Sequence, residues 1–176
     1  MADFYPYLVS SLPMLHFDMK PPFSFDRFLE MCCPLIPEQD GQVLRTLPQP
    51  GQYSKKGKQP PVVQQWIEFD VALRNELVKI RAAKKHLDPT VYLRPGGSDS
   101  SSIAPAVVAA NITPSLLDAE KALDESRWKA LENIATGHYF DLDFLITYAC
   151  KLLILERWET IRNAGGTILL EQALQH

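Results

Sequence analysis

His138, Asp141 and Asp143 are the residues whose types and spacing could bind a metal ion or act as a general base. The same carboxylates have a structural explanation, because they lie between two predicted helices and Asp141 or Asp143 can cap the second one. No second histidine or cysteine lies near in the sequence to complete a ligand set. We therefore expect no metal and no other cofactor.

Two other segments carry weaker chemical signals. Gly96-Gly97-Ser98 could wrap a phosphate, but it lacks the Gly-Lys-Ser/Thr ending of a P-loop. Cys32 and Cys33 lie near the predicted end of a helix, where the helix dipole disfavours a thiolate, so we expect buried neutral thiols. The sequence also lacks a Gly-x-Ser-x-Gly nucleophile elbow. We predict that the chain is not an enzyme.

The charged end of the last long predicted helix is a candidate for partner recognition. It follows an apolar run over residues 144–155 and comprises Glu156, Arg157, Trp158, Glu159 and Arg162. Ion pairs of Glu156 and Glu159 with Arg162 along the helix would explain the charges structurally. Trp and Arg are also the residue types that dominate protein interfaces. Both interpretations stay open from the residues alone.

A second candidate surface is the basic stripe on the longest predicted helix. Its members recur between the apolar positions of that helix and are Arg74, Lys79, Arg81, Lys84 and Lys85. Such a stripe is usually a solvated face, and the functional alternative is a docking surface for an acidic partner. We select Arg74 and Arg81 as candidate interface residues beside those at the end of the last long helix.

Helices are the elements that must position these residues. Apolar spacing, caps and Pro or Gly breaks predict helices near residues 24–33, 37–45, 62–87, 103–111, 113–135, 141–162 and 167–174. Ser24 and Thr113 are the predicted N-caps of the first and fifth. Residues 4–23 suit an extended arm or a short strand, and loops are expected at 46–61 and 94–104. We predict a mainly α fold, a bundle of about five to six helices, in a single domain over residues 1–176.

Composition and charge narrow the possible functions. A net charge of -3 with a pI of about 5.8 provides no basic footprint for nucleic acid, which we do not expect as a partner. No secretion signal is visible, and three cysteines do not make a disulfide framework. The apolar run before residue 156 is interrupted by Lys151 and is too short to span a bilayer. These features predict a cytoplasmic protein without direct membrane insertion.

Three segments resemble an uncharacterised bacterial family whose genes lie among those of V-type ATPases. The first is Tyr7-Leu-Val-Ser-Ser-Leu-Pro13 with Pro21-Pro-Phe-Ser-Phe25, and the second is Leu73-Arg-Asn-Glu-Leu-Val-Lys-Ile-Arg-Ala-Ala83. The third is Phe140-Asp-Leu-Asp through Leu155-Glu-Arg-Trp158. The third also resembles, in part, the end of the V-type ATPase C/d subunit, where a buried helix leads into a charged turn and a glycine, here Gly165.

The resemblance implies a non-catalytic component of a bacterial V-type ATPase. This would be a C/d-like subunit or an assembly factor that couples the central stalk to the membrane ring, with the subunits of stalk and ring as its partners. It would be cytoplasmic and peripheral to the membrane through the ATPase complex. Two alternatives stay open, a small metal-dependent enzyme using His138, Asp141 and Asp143, and a helical adaptor unrelated to the ATPase.

Overall fold

The computed structural model describes residues 4–48, 59–97 and 103–165. Over these residues the chain is mainly helical and has no strand, which confirms the predicted fold class. The α-helices are α1 (Pro6–Ser11), α2 (Phe25–Cys32), α3 (Glu38–Arg45), α4 (Pro61–Lys84), α5 (Ala104–Ile112), α6 (Leu116–Ile134) and α7 (Leu142–Asn163). A 3-10 helix spans Pro89–Tyr92. The predicted helix at 167–174 and most of the two predicted loops lie outside the described residues.

The chain forms two compact units. The first comprises Met1–Leu47 with Ala135–His176, and the second comprises Pro48–Ile134. Helices α1, α2, α3 and α7 belong to the first unit, and α4, α5, α6 and the 3-10 helix belong to the second. The single domain over residues 1–176 stays a prediction.

Helix α7 is the core helix of the first unit, and α2 and α3 pack against it. Its buried residues are almost entirely apolar and include Leu145, Ile146, Ala149, Leu152 and Leu155. The helix begins where the Asp141 carboxylate accepts a hydrogen bond from the backbone N–H of Phe144 at 2.9 Å, which satisfies one of the free N–H groups of its first turn. The predicted buried helix is confirmed.

The N-terminal segment differs from its prediction, because residues 6–11 form a short helix where an extended arm or a strand was expected. Pro6 occupies the first helical position, where its fixed φ suits a helix and its missing N–H costs nothing. Leu8 is the residue that this helix buries. The segment is tied to α7 where the Tyr148 hydroxyl donates a hydrogen bond to the Pro13 carbonyl at 2.9 Å.

Helices α4, α5 and α6 form the second unit around a small apolar core. Its fully buried members are Ala72, Leu73, Ile103, Val107, Ala110 and Leu123. The predicted cap at Thr113 is wrong, because this residue ends α5 and its hydroxyl donates a hydrogen bond to the Ala109 carbonyl at 2.9 Å. The hydroxyl of Ser115 accepts from the Asp118 N–H at 3.2 Å and caps α6 in its place.

Helix α4 ends in a Schellman turn with a non-glycine residue in the left-handed conformation. His86 has a φ of 54°, and its N–H donates to the Ala83 carbonyl at 3.2 Å. The N–H of Leu87 donates to the Ala82 carbonyl at 3.0 Å, which completes the turn. The chain therefore reverses its direction immediately after α4.

The segment after this turn runs back beside α4. The side chain of Asn75 donates to the Arg94 carbonyl at 3.0 Å and accepts from the Arg94 N–H at 2.9 Å. Gly97 has a φ of 118°, and a Cβ there would lie 3.3 Å from the backbone nitrogen of Ala72. The 3-10 helix is thus held against the C-terminal half of α4.

Candidate functional site

The charged end of α7 is bound to residues 18–25 of its own unit, the segment that leads into α2. A carboxylate oxygen of Glu156 accepts a hydrogen bond from the backbone N–H of Phe25 at 2.9 Å. Phe25 is the first residue of α2, whose N-terminus carries free N–H groups and a partial positive charge. Ser24, the predicted N-cap, accepts from the Arg27 N–H at 3.2 Å, which confirms that prediction. Glu156 therefore stabilises the start of α2 from another helix.

Two further residues one and two turns along α7 contact the same arm. The guanidinium of Arg162 donates to the backbone carbonyls of Asp18 and Met19, both at 3.3 Å. Glu159 lies 3.4 Å from the Arg162 guanidinium and 4.0 Å from the Lys20 ammonium group. We call the contacts of Glu156, Glu159 and Arg162 with residues 18–25 the arm contact. The sequence left open whether ion pairs along the helix explain these charges, and Glu159 with Arg162 is one such pair.

The other two candidates on this segment differ in exposure. The Trp158 side chain is 5% exposed and belongs to the buried part of α7, so its ring is not displayed to a partner. Arg157, the residue before it, is exposed. The proposed partner role of these residues stays a prediction, and the arm and α7 now form the surface on which it would act.

The basic stripe of α4 falls into two parts. The guanidinium of Arg74 binds the Asp70 carboxylate at 2.7 Å, and the Lys79 ammonium group binds the Glu76 carboxylate at 2.6 Å. The remaining cations, Arg81, Lys84 and Lys85, are exposed near the end of the helix. Among the described residues, no carboxylate pairs with these three cations.

A buried charge network in the second unit was missed by the sequence analysis. The Arg127 guanidinium donates to the Asp70 carboxylate at 2.9 Å and to the Asp124 carboxylate at 2.7 Å. Both carboxylates are fully buried. Burial alone would lower the pKa of Arg127, but the two carboxylates outweigh it and raise that pKa above its ordinary value. The position of Asp70, between Trp66 and Leu73 on apolar faces of α4, was the available signal.

His138, Asp141 and Asp143 do lie together at the start of α7. Nδ1 of His138 is 2.7 Å from one Asp141 oxygen and 3.6 Å from one Asp143 oxygen, and one potential ligand atom from each residue lies within 4.8 Å of the others. The hydrogen bond to Asp141 raises the pKa of His138, and burial raises the pKa of Asp143. Asp141 is also the N-cap of α7, as predicted, so both of its oxygens already serve the protein.

Two of the three cysteine thiols are suppressed by burial. Burial raises the pKa of Cys32 to about 12, with a further contribution from Cys33, and raises that of Cys150 to about 12. Both thiols therefore stay neutral at physiological pH, which confirms the expectation for Cys32. The expectation that Cys33 is buried is wrong, because its side chain is only half-buried. The sulfur of Cys33 accepts a hydrogen bond from the Arg45 guanidinium at 3.0 Å.

Four of the charged candidate residues serve contacts within their own units, namely Glu156, Glu159, Arg162 and Arg74. Arg81 and Arg157 are exposed. In the part of the chain that the structure describes, no helix has the length and apolar character needed to cross a membrane. A family model described as "Protein of unknown function (DUF2764)" matches residues 108–174, which include α6, α7 and the arm-binding residues of α7. No curated protein matches the chain, and no solved structure matches it.

Proposed function

We propose that this chain is a non-catalytic component of a bacterial V-type ATPase. It acts as a C/d-like subunit or an assembly factor between the central stalk and the membrane ring, and its partners are the subunits of those two parts. The resemblance of three segments to the family encoded with V-type ATPases motivates the proposal.

The arm contact is the observation that carries the proposal furthest. Two of the three resembling segments, residues 21–25 and residues 140–158, are far apart in the sequence and meet where Glu156 binds the N–H of Phe25. A shared structural unit explains why both segments would be kept together in such a family. A surface made of a helix and an arm also suits a coupling or assembly component, because such a component transmits contacts and performs no bond chemistry.

Purification from the native host tests this proposal. The chain, tagged at its chromosomal locus, is isolated from gently solubilised membranes and from the soluble fraction, and ATPase subunits are quantified by mass spectrometry. We expect stalk or ring subunits to be enriched over a host with the same tag on an unrelated protein. If ATPase subunits are absent from both fractions, the proposal is wrong.

A metal-dependent enzyme is a second candidate, because potential ligand atoms of His138, Asp141 and Asp143 lie within 4.8 Å of one another. Metal binding would have to displace the His138–Asp141 hydrogen bond and compete with the capping of α7. Metal analysis of the purified protein, with thermal unfolding at increasing Zn²⁺ or Mn²⁺, distinguishes the two. Stoichiometric metal with stabilisation that disappears in His138→Gln would favour the enzyme.

A helical adaptor unrelated to the ATPase is separated from the first proposal by the neighbouring genes. Location of the gene among ATPase genes would support the ATPase component, and a location elsewhere in every genome that encodes it would favour the adaptor.

A further inference from the structure

The side of α5 that faces away from the core of the second unit is exposed and entirely apolar. Val107 and Ala110 are buried on the inner side of this helix. The Val108 and Ile112 side chains are 50% and 73% exposed on the other side. We define the outer face of α5 as the four exposed residues of this helix, Pro105, Val108, Ala109 and Ile112.

The outer face is one continuous stripe because of its spacing. Counted from Pro105, its other members follow at three, four and seven positions, so all four lie within about 100° of the helix circumference. Val107 and Ala110 lie on the opposite side, where α4 and α6 pack against α5. A helix that is apolar on both sides is typical of one that is covered on both. The core of the second unit covers the inner side only, so a further contact is expected on the outer face.

The outer face lies in a stretch of the chain without charge. Residues 103–117 contain no Asp, Glu, Lys or Arg. A partner selected by charge complementarity has no ion pair to form here, and a helix that lies on an anionic membrane usually carries Lys or Arg on its polar face. Two copies of this chain meet no like charge at this contact, although each has a net charge of -3. The charge pattern therefore favours a second copy over a charged protein or an anionic membrane.

The outer face is also complementary to itself in size. When two copies of α5 pack antiparallel about a two-fold axis between positions 108 and 109, Ile112 of each copy lies opposite Pro105 of the other. Val108 lies opposite Ala109 in the same register. Each large side chain thus meets a smaller one, which lets the two helices interdigitate without a gap. A parallel pair would instead place Ile112 against Ile112 and Ala109 against Ala109.

We propose that two copies of this chain associate through the outer face of α5, with the helices antiparallel across a two-fold axis. Helix α5 has nine residues, so it is about 14 Å long and the contact covers a few hundred Å² per copy. A stable dimer buries about 800 Å² per partner. The association is therefore weak and reversible, and it depends on protein concentration. It requires no other protein, so it is independent of the proposed role in the ATPase.

Analytical ultracentrifugation of the full chain, from micromolar to millimolar concentration, tests this contact. We expect a monomer–dimer equilibrium whose dissociation constant rises at least about tenfold when Val108 and Ile112 are both replaced by Ser, because these two side chains supply most of the apolar area. Added NaCl should not weaken the association, because no charged residue lies on the outer face.

A matched variant controls for the loss of exposed apolar side chains. Leu87→Ser with Val91→Ser removes two side chains of the same unit that are 49% and 77% exposed. This variant should change the dissociation constant less than about twofold, because scattered exposed apolar residues need no partner. Circular dichroism and thermal unfolding check that both double variants are folded.

Cysteine cross-linking tests the register. In a Cys33→Ser background the remaining native cysteines, Cys32 and Cys150, are buried. Ala109→Cys places a thiol beside the two-fold axis, where the Cα atoms come within the ~5.5–6 Å that suits a disulfide. Ile112→Cys is the control, because an antiparallel pair separates the two copies of this position by about 10 Å along the helix axis. We expect Ala109→Cys to form a disulfide-linked dimer under a mild oxidant much faster than Ile112→Cys.

Three results would overturn the proposal. They are a chain that stays monomeric up to millimolar concentration, an outer-face variant that associates as strongly as the wild type, and Ile112→Cys that cross-links as fast as Ala109→Cys. Binding of the wild-type chain to phosphatidylcholine vesicles in place of self-association would overturn it as well. Each of these results leaves the proposed function standing, because purification from the native host tests that function separately.

Discussion

Two histidines show how a single side chain affects the stability of this protein. His86 adopts a left-handed backbone conformation that a side chain with a Cβ disfavours. His138 keeps its imidazole against two carboxylates at the start of α7. Each makes a prediction that depends on one side chain.

Replacement of His86 by Gly should stabilise the protein. Gly adopts a φ near 54° without steric cost, which outweighs its greater freedom in the unfolded chain, so the free energy of unfolding should rise by about 0.5–1 kcal/mol. Urea unfolding measures the change, and His86→Ala, which keeps a Cβ, should give no such gain. A loss of stability in His86→Gly would show that the imidazole makes a favourable contact that outweighs the strain.

The stabilising effect of His138 should decrease as the pH rises. Its hydrogen bond to Asp141 raises the pKa of the folded state above 6.5, so the stabilisation is fully present below pH 6.5 and is lost as the pH rises through the raised value. The pair is partly exposed, so we expect the wild type to exceed His138→Gln by only about 0.5 kcal/mol at pH 5.5. Unfolding from pH 5.5 to 8.5 measures the difference, and a difference that does not change with pH contradicts the assignment.

At the scale of elements, each unit contains polar contacts between segments of its own that are distant in sequence. The arm contact joins the start of α2 to the end of α7, and Arg127 joins α6 to α4. Removal of one partner of such a contact destabilises the protein, because the polar or charged group that remains has lost its hydrogen-bonding or charged partner.

Removal of the Glu156 carboxylate should destabilise the first unit. Glu156→Ala leaves the Phe25 N–H without its acceptor and removes a negative charge from the N-terminus of α2, at a cost of about 1–2 kcal/mol. Chemical unfolding gives the value, and Glu125→Ala, which breaks only an exposed pair with Lys129, is the matched control at under about 0.5 kcal/mol. Equal effects in the two variants would contradict a stabilising arm contact.

Removal of Arg127 should have a larger effect than removal of any exposed cation. Arg127→Met leaves the buried carboxylates of Asp70 and Asp124 without their shared guanidinium, which should cost about 3–5 kcal/mol. Lys129→Met, two residues further along α6 and exposed, serves as the control. A double-mutant cycle with Asp70→Ala should be non-additive by at least about 1 kcal/mol. Additive losses would mean that the two side chains do not interact as described.

The helices could be predicted from the sequence because their signals are local. The apolar period and the Asp141 cap placed α7 over 141–162, and the structure has it at Leu142–Asn163. The short helix at Pro6–Ser11 was not predicted, since six residues carry too little periodicity to separate a helix from a strand. The prediction of Thr113 as a cap failed because its hydroxyl donates back to the Ala109 carbonyl, and the structure shows Ser115 accepting the N–H of Asp118 at the start of α6.

The pairings of the candidate site could not be predicted. Glu156 binds the N–H of Phe25, which lies 131 positions earlier in the sequence, and Arg127 binds Asp70, which lies 57 positions earlier. A local pattern indicates that a charge lies on a buried face, but the neighbouring helix decides which group neutralises it. Trp158 shows the same limit, because a residue type common at interfaces is here used in the core.

At the scale of the whole molecule, charge is distributed unevenly over an acidic chain. The carboxylates of the arm contact and of the buried network are paired inside their units, whereas the cations Arg81, Lys84 and Lys85 are exposed. Such a protein suits an assembly role, in which stable internal contacts preserve the shape and a few exposed residues select the partner.

Recovery of this chain with the native V-type ATPase is the most direct test of the proposed function. The ATPase is purified through a tag on one of its own stalk subunits, from growing cells and from cells in which ring assembly is blocked, and the chain is quantified against the other subunits. We expect the chain to be present in a fixed ratio in the intact enzyme or to be enriched in the blocked intermediates. Its absence from both preparations would contradict the assignment to the ATPase.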